Sequence, residues 1–252
     1  DVPSIAIRHR LTAVVFCSLL PIALLGYLFF AQSEKEIAFS TKESAGAEYI
    51  EALMPELVGL AQQPPAERIA ATDWDVLCHG WRWVEHYLLD EATERDHIAR
   101  AHASLTRTVG RAPEGWYCRY GPSPATRRLV VAHGGFSYDS DSYADEIPYW
   151  VSVDGRPHLV VPYNLAANDA KLVGGPLVTG ADFASYLADS LDFLVAEGQT
   201  RMISVGLHLR VLGQPGRAAG LARFLDTLAG RTDIWVCRRG DIARHFRAQV
   251  PF

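Results

Sequence analysis

The stretch Asp75-Val76-Leu77-Cys78-His79-Gly80-Trp81-Arg82-Trp83 constrains the fold of this chain more than any other. A short apolar run with a β-branched residue reads as a buried strand. It stops at a histidine and a glycine, where the backbone can turn sharply. Such a strand delivers an imidazole to the edge of a sheet. Downstream, strands alternate with single helices, which implies an α/β sheet or barrel. In α/β barrels the chemistry sits at the C-terminal ends of the strands.

The spacing predicts a strand over Val76–Cys78 and a helix over Glu91–Val109. Ile98, Ala101, Leu105 and Val109 fall on one face of that helix, acids fall in its first turn, and Gly110 ends it. Gly115–Cys118 reads as a strand. Ser123-Pro124 reads as the N-cap and first position of a helix that stops at Gly134-Gly135. Phe136–Tyr138 reads as a strand that ends in Asp139-Ser140-Asp141. Tyr149–Val153 and His158–Val161 flank Asp154-Gly155, a hairpin signal. Asn164–Gly180 reads as a long Gly-rich loop of the kind that carries function. A helix capped by Asp182 is expected to run through Ala196. Met202–Leu207 follows as a strand ending in His208, then a helix over Gly216–Ala229, a strand over Ile234–Cys237 and a helix over Asp241–Phe246.

Upstream of about Pro65 the pattern changes. Leu11 to Ala31 carries no charge and matches the ~20 residues a helix needs to span a bilayer. It is too long for the apolar region of a cleavable signal peptide, and Phe29-Phe30-Ala31 makes a poor cleavage site. A single membrane pass is therefore expected through residues 11–31, with the arginines before it on the cytoplasmic side. Glu34 to Gln62 reads as a long helix, with apolar residues at helical spacing. Together, residues 1–65 resemble the start of a bacterial chemoreceptor or sensor kinase. Gln62-Gln63-Pro64-Pro65 is the natural junction to a second unit over residues 66–252.

The net charge of −5 argues weakly against nucleic acid as a partner, since phosphate binding needs a concentrated basic face. The four cysteines, Cys17, Cys78, Cys118 and Cys237, lack metal-type spacing and read as buried free thiols. His79, His86, His97 and His102 also lack a good ligand spacing, so no metal site is expected from them. Several proposed strands end in polar groups: His79, Tyr117 with Arg119, Asp139 with Asp141, and His208. Titratable groups at buried strand ends are costly unless they meet in a shared polar site.

His79-Gly80-Trp81-Arg82-Trp83, Gly110-Arg111-Ala112-Pro113-Glu114-Gly115-Trp116-Tyr117, Tyr138-Asp139-Ser140-Asp141-Ser142-Tyr143, Ser204-Val205-Gly206-Leu207-His208 and Trp235-Val236-Cys237-Arg238-Arg239 follow in that order. They resemble the polysaccharide deacetylase-like superfamily, and within it the allantoinase branch of urate breakdown, over residues 73–251. The resemblance implies a partial deformed (β/α) barrel and hydrolysis of a carbon–nitrogen bond. By that resemblance His79 matches the first histidine of the deacetylases' metal-binding motif, and Trp83 stands where the second would be. A divalent metal at His79 is therefore disfavoured and no cofactor is expected. The resemblance makes His79, Asp139 and His208 the catalytic candidates, with His208 as general acid. It makes Trp83, Arg111, Trp116, Tyr117 and Asp141 the substrate-binding candidates.

The family's first motif, an acidic pair, is not found between Asp1 and Ala71. Residues 66–252 thus read as an N-terminally truncated domain with impaired activity. The exposed edges of such a barrel favour a homo-oligomer. The expected reaction is the opening of a small cyclic amide, allantoin to allantoate. Two alternatives stand beside it: a membrane-anchored ligand-binding or sensory protein with a non-catalytic domain, and a deacetylase of N-acetylated polysaccharide. The family is cytoplasmic while the charge rule puts the barrel outside, so the sequence leaves the side of the membrane open.

Overall fold

The computed structural model describes residues 69–70 and 72–252. The membrane span expected over Leu11–Ala31, the long helix over Glu34–Gln62 and the receptor-like reading of residues 1–65 lie outside the described residues. Among the described residues no helix is long and apolar enough to cross a membrane.

The sheet contains β1 (Leu77–Cys78), β2 (Gly115–Trp116), β3 (Tyr138–Asp139), β4 (Tyr149–Val153) and β5 (Arg156–Val160), in the order β1-β2-β3-β5-β4. β1, β2, β3 and β5 run parallel, with Cys78 opposite Trp116, Trp116 opposite Asp139, and Asp139 opposite Val160. Parallel neighbours need crossovers. Helix α1 (Glu91–Val109) supplies the first and helix α2 (Thr126–His133) the second. β4 pairs antiparallel with β5 through Asp154-Gly155. Both turn residues have positive φ, 48° and 75°, as a type I′ hairpin requires.

Local chemistry sets the helix ends. The Asp90 side chain accepts the Thr93 N–H at 2.8 Å, and Gly110 closes α1 in the left-handed region. Glu94, in the first turn of α1, is buried. It accepts hydrogen bonds from the hydroxyls of Ser123 and Thr126, and one oxygen lies 3.0 Å from His86 Nδ1. That carboxylate ties α1, the start of α2 and the 3₁₀ turn His86–Leu88 together. Ser123 also accepts the N–H groups of Ala125 and Thr126, but the helix begins at Thr126 with Ala125 as its N-cap, so Ser123 and Pro124 lie in the turn before it rather than at the expected N-cap and first positions.

Because side chains alternate along a strand, the two-residue strands face two layers. Cys78 and Trp116 pack with Ile98, Ala101, Leu129 and Val130 of α1 and α2. Leu77, Tyr138 and Leu159 pack with Ala243, Ile242 and Phe246 of helix α7 (Arg239–Gln249). A third cluster joins α4 (Gly180–Ala196), α5 (Leu209–Leu212) and α6 (Pro215–Leu228) through Phe183, Leu187, Leu212 and Phe224. A fully buried Phe183 or Leu187 contributes about 1.5–3 kcal/mol. α4 and α6 cross at Gly180 and Gly220, where a β-carbon on Gly220 would lie 2.0 Å from the Gly180 carbonyl oxygen.

Some sequence expectations are corrected. Met202–Leu207 and Ile234–Cys237 form no strands. The first region holds one parallel bridge, Gly206 with Asn168, and the second leads directly into α7. The expected loop over 164–180 contains a 3₁₀ turn, Leu165–Ala167, and the short helix α3 (Lys171–Gly174). α4 is capped by Thr179, with Asp182 closing a reciprocal capping box.

Candidate active site

His79 follows the C-terminal end of β1. Gly80, at φ 92°, turns the chain there, and a β-carbon on it would meet His86 Nε2 at 3.1 Å. The His79 Nδ1 lies 2.5 Å from the Tyr117 carbonyl oxygen. A carbonyl only accepts, so Nδ1 carries the hydrogen and Nε2 presents a lone pair. The imidazole stacks on the Tyr117 ring, 5.1 Å between centres. His79 is exposed on its solvent side, but partial desolvation by the protein atoms around it holds it below the usual histidine pKa. The Tyr117 hydrogen bond opposes this, and the charges of Arg119, His208 and His86 add to it. The ring is therefore neutral near pH 7.

His208 stands at the start of α5 and is bound twice by Asp169. Its Nδ1 lies 2.6 Å from Asp169 Oδ1, and its backbone N–H donates to Oδ2 at 2.7 Å. Asp169 is fully buried, whereas a third of the His208 side chain is exposed. The bridge between Asn168 and Gly206 sets this pair: Asp169 N–H donates to the Gly206 carbonyl and Gly206 N–H to that of Ala167, both at 2.9 Å. A carboxylate on Nδ1 fixes the tautomer, leaves Nε2 to exchange a proton, and compensates the charge that appears there.

An aromatic wall lies beside these imidazoles. Tyr117 packs against Tyr163 at 4.8 Å, and its hydroxyl lies 3.2 Å from that of Tyr143. The Tyr163 hydroxyl accepts from Asn168 Nδ2, which links the wall to the strand-like bridge under His208. Beneath it, Arg239 of α7 donates to Ser140, Ser204 and the carbonyls of Val161 and Pro162. Arg239 thus knits the loops after β3 and β5 together. Trp83 is 65% exposed and stands at the outer rim.

The remaining expected site residues are engaged in other contacts. Asp139 is wholly buried. Its carboxylate accepts from Arg127 at 2.7 and 3.1 Å, from the Asp141 N–H at 2.9 Å, and meets His158 Nε2 at 3.0 Å. Burial raises its pKa, but hydrogen bonds and charge from His158 and Arg127 outweigh burial and hold it below the usual aspartate value. Asp141 accepts from Trp116 Nε1 at 3.0 Å and from Cys118 N–H at 2.7 Å. Burial, helped by the Asp139 charge, pushes it up to about 7 against those two bonds. Trp116 is fully buried behind the wall, edge-on to His86 and Phe136.

Arg111 lies at the other edge of the sheet. It donates to the carbonyls of Ile69, Ala70 and Trp74, beside the N-terminal ends of β1 and β2. Asp169, Tyr163 and Arg239 had no site role in the sequence reading. Arg239 falls in a segment that carries the family resemblance, but no local signal marks Asp169. Among the described residues no three His, Cys, Asp or Glu side chains come together as a metal-ligand set. The described residues around His79 do not fit a deacetylase-type metal.

A parallel α/β sheet with polar groups gathered at the C-terminal strand edge is the architecture of the polysaccharide deacetylase-type barrel. The crystal structure of a "probable Polysaccharide deacetylase" from Pseudomonas aeruginosa is 41% identical with a TM-score of 0.69, covering 78% of this chain and 67% of that one. The crystal structure of Puue allantoinase is 36% identical with a TM-score of 0.71, covering 88% and 78%. A "Putative polysaccharide deacetylase" of Schizosaccharomyces pombe is 32% identical over 198 residues, 71% of this chain. The chain spans 62% of the length of that curated relative. No family model matches. The chain belongs to the polysaccharide deacetylase-like family of hydrolases.

Proposed function

We propose that this protein hydrolyses a carbon–nitrogen bond in a small cyclic amide, in the manner of an allantoinase. The pairing of a carboxylate-backed His208 with a neutral His79 carries this reading. Their environments suit opposite proton roles. His79 Nε2, with its lone pair free, takes a proton from the attacking water as the oxygen adds to the ring carbonyl. His208 Nε2, with Asp169 behind it, gives a proton to the departing ring nitrogen as the C–N bond breaks. Tyr117, Tyr143 and Tyr163 offer faces and hydroxyls suited to a flat amide-rich ring. Asp139, a catalytic candidate by the family resemblance, supports the rim in this reading through Arg127 and His158.

Trp83, in place of a second histidine, supports the cyclic-amide reading over the metal-dependent one. The 36% identity to Puue allantoinase points the same way. Deacetylation of an N-acetylated polysaccharide is the second reading, favoured by the 41% identity to a "probable Polysaccharide deacetylase". Incubation with allantoin and with N-acetylglucosamine oligomers separates them. Allantoate formation that His208→Ala abolishes is the expected result. Acetate release without allantoate formation would establish the second reading instead.

A further inference from the structure

We propose that Arg119 and Arg210 form a carboxylate clamp at the mouth of the candidate active site, built to hold the acid group that appears when a cyclic amide is opened. This rests on the cyclic-amide reading and names the part of the product that is recognised. The Arg119 guanidinium lies 4.5 Å from the centre of the Trp83 ring, and that of Arg210 lies 5.6 Å from it. Arg119 also sits 3.4 Å over the Tyr120 ring, which meets Trp83 edge-on. Two cations therefore share one exposed tryptophan. The arginine–carboxylate ion pairs among the described residues involve neither of them.

Cation–π attraction helps gather the arginines, but it does not remove the repulsion between them. An anion would. Stacking covers the face of a guanidinium and leaves its edge N–H groups free, in the fork geometry that binds a carboxylate.

The backbone supplies a separate observation. Tyr120 has φ 62°, a conformation costly for a bulky residue, and Gly121 follows at 104°. The Cys118 thiol donates to the Gly121 carbonyl at 3.2 Å and supports the turn. This strained turn folds Arg119 back over Tyr120 and beneath Trp83. The clamp adjoins the imidazoles: Arg210 is two residues beyond His208, and the Arg119 charge acts on His79. In the reaction, water adds its oxygen to the carbonyl carbon and the C–N bond breaks. The nitrogen leaves with a proton, and the new acid releases its own to solvent. The carboxylate so formed meets the two arginines.

Calorimetric titration of the full chain with N-carbamoylglycine and with its uncharged amide tests the clamp. The acid is expected to bind at least about tenfold more tightly than the amide. Arg119→Met and Arg210→Met should each weaken acid binding about tenfold and leave amide binding unchanged. Arg210 is exposed on a short helix, so its variant carries the test should Arg119→Met fail to fold. Equal binding of acid and amide, no binding of either, or wild-type acid affinity in folded variants would each overturn the clamp. Acid discrimination without allantoin hydrolysis would instead sink the cyclic-amide reading. Hydrolysis without discrimination would sink the clamp alone.

Discussion

Asp169 holds His208 by both its ring and its backbone, with Oδ1 2.6 Å from Nδ1 and Oδ2 2.7 Å from the amide nitrogen. Asp169→Asn keeps the size of the side chain but removes the charge and can present an N–H to Nδ1, which selects the wrong tautomer. The expected outcome is a fall in kcat of about 10²- to 10⁴-fold with KM little changed. The pH profile of the residual activity should also shift, which a loss of stability alone would not produce. Steady-state kinetics across pH 5–9 checks both.

His79 works as a neutral base, so activity should fall on the acid side. Because its pKa lies below the ordinary 6.5, that limb should lie below pH 6.5. The same shift acts on stability. With the folded value depressed, the unfolded chain binds more protons between the folded value and 6.5, so stability declines as pH falls through that window. His97 and His102, also lowered chiefly by burial, add in the same direction. Urea titrations from pH 7.5 to 5 should show the decline. A midpoint that does not move would contradict it.

Asp139→Asn should cost about 3 kcal/mol or more, because it leaves Arg127 and His158 facing a neutral amide. The wild-type carboxylate is held below its usual pKa. Its contribution is therefore present above the unfolded value near 3.9 and lost as pH falls through the folded value. Denaturation at pH 7 and at steps below pH 3.9 should show a difference between wild type and variant that is largest at pH 7 and shrinks as the pH falls below the unfolded value. Similar stability of both proteins at pH 7 would contradict the structural role and return Asp139 to the catalytic candidates.

Gly220→Ala should push α4 from α6, since its β-carbon would lie 2.0 Å from a backbone oxygen that cannot swing aside. Overpacking of this kind costs about 1–3 kcal/mol. The helices carry Asp169's neighbourhood only indirectly, so the melting temperature should drop while the acid limb of the pH profile stays in place. An unchanged melt would mean the helices separate without cost.

Where a feature is set by near neighbours, the sequence alone determined it. Glu91–Val109 was readable to the residue because Asp90, the apolar spacing and Gly110 act within a turn or two. The Asp154-Gly155 hairpin was readable for the same reason, and so was the delivery of His79 by a strand that breaks at glycine. Strand formation at Met202–Leu207 was not readable, because a β-branched apolar run becomes a strand only beside a partner. Here the chain offers it one bridge at Gly206. Arg111 shows the same limit, since its motif fits a groove while the turn before β2 carries it to the opposite edge of the sheet. Asp169 lies 39 residues before His208, within a loop with no local mark of function. Only the return of the chain along that bridge puts its carboxylate against the imidazole. Side-chain chemistry named the histidines, whereas contacts distant in sequence decided which carboxylate and which arginines stand with them.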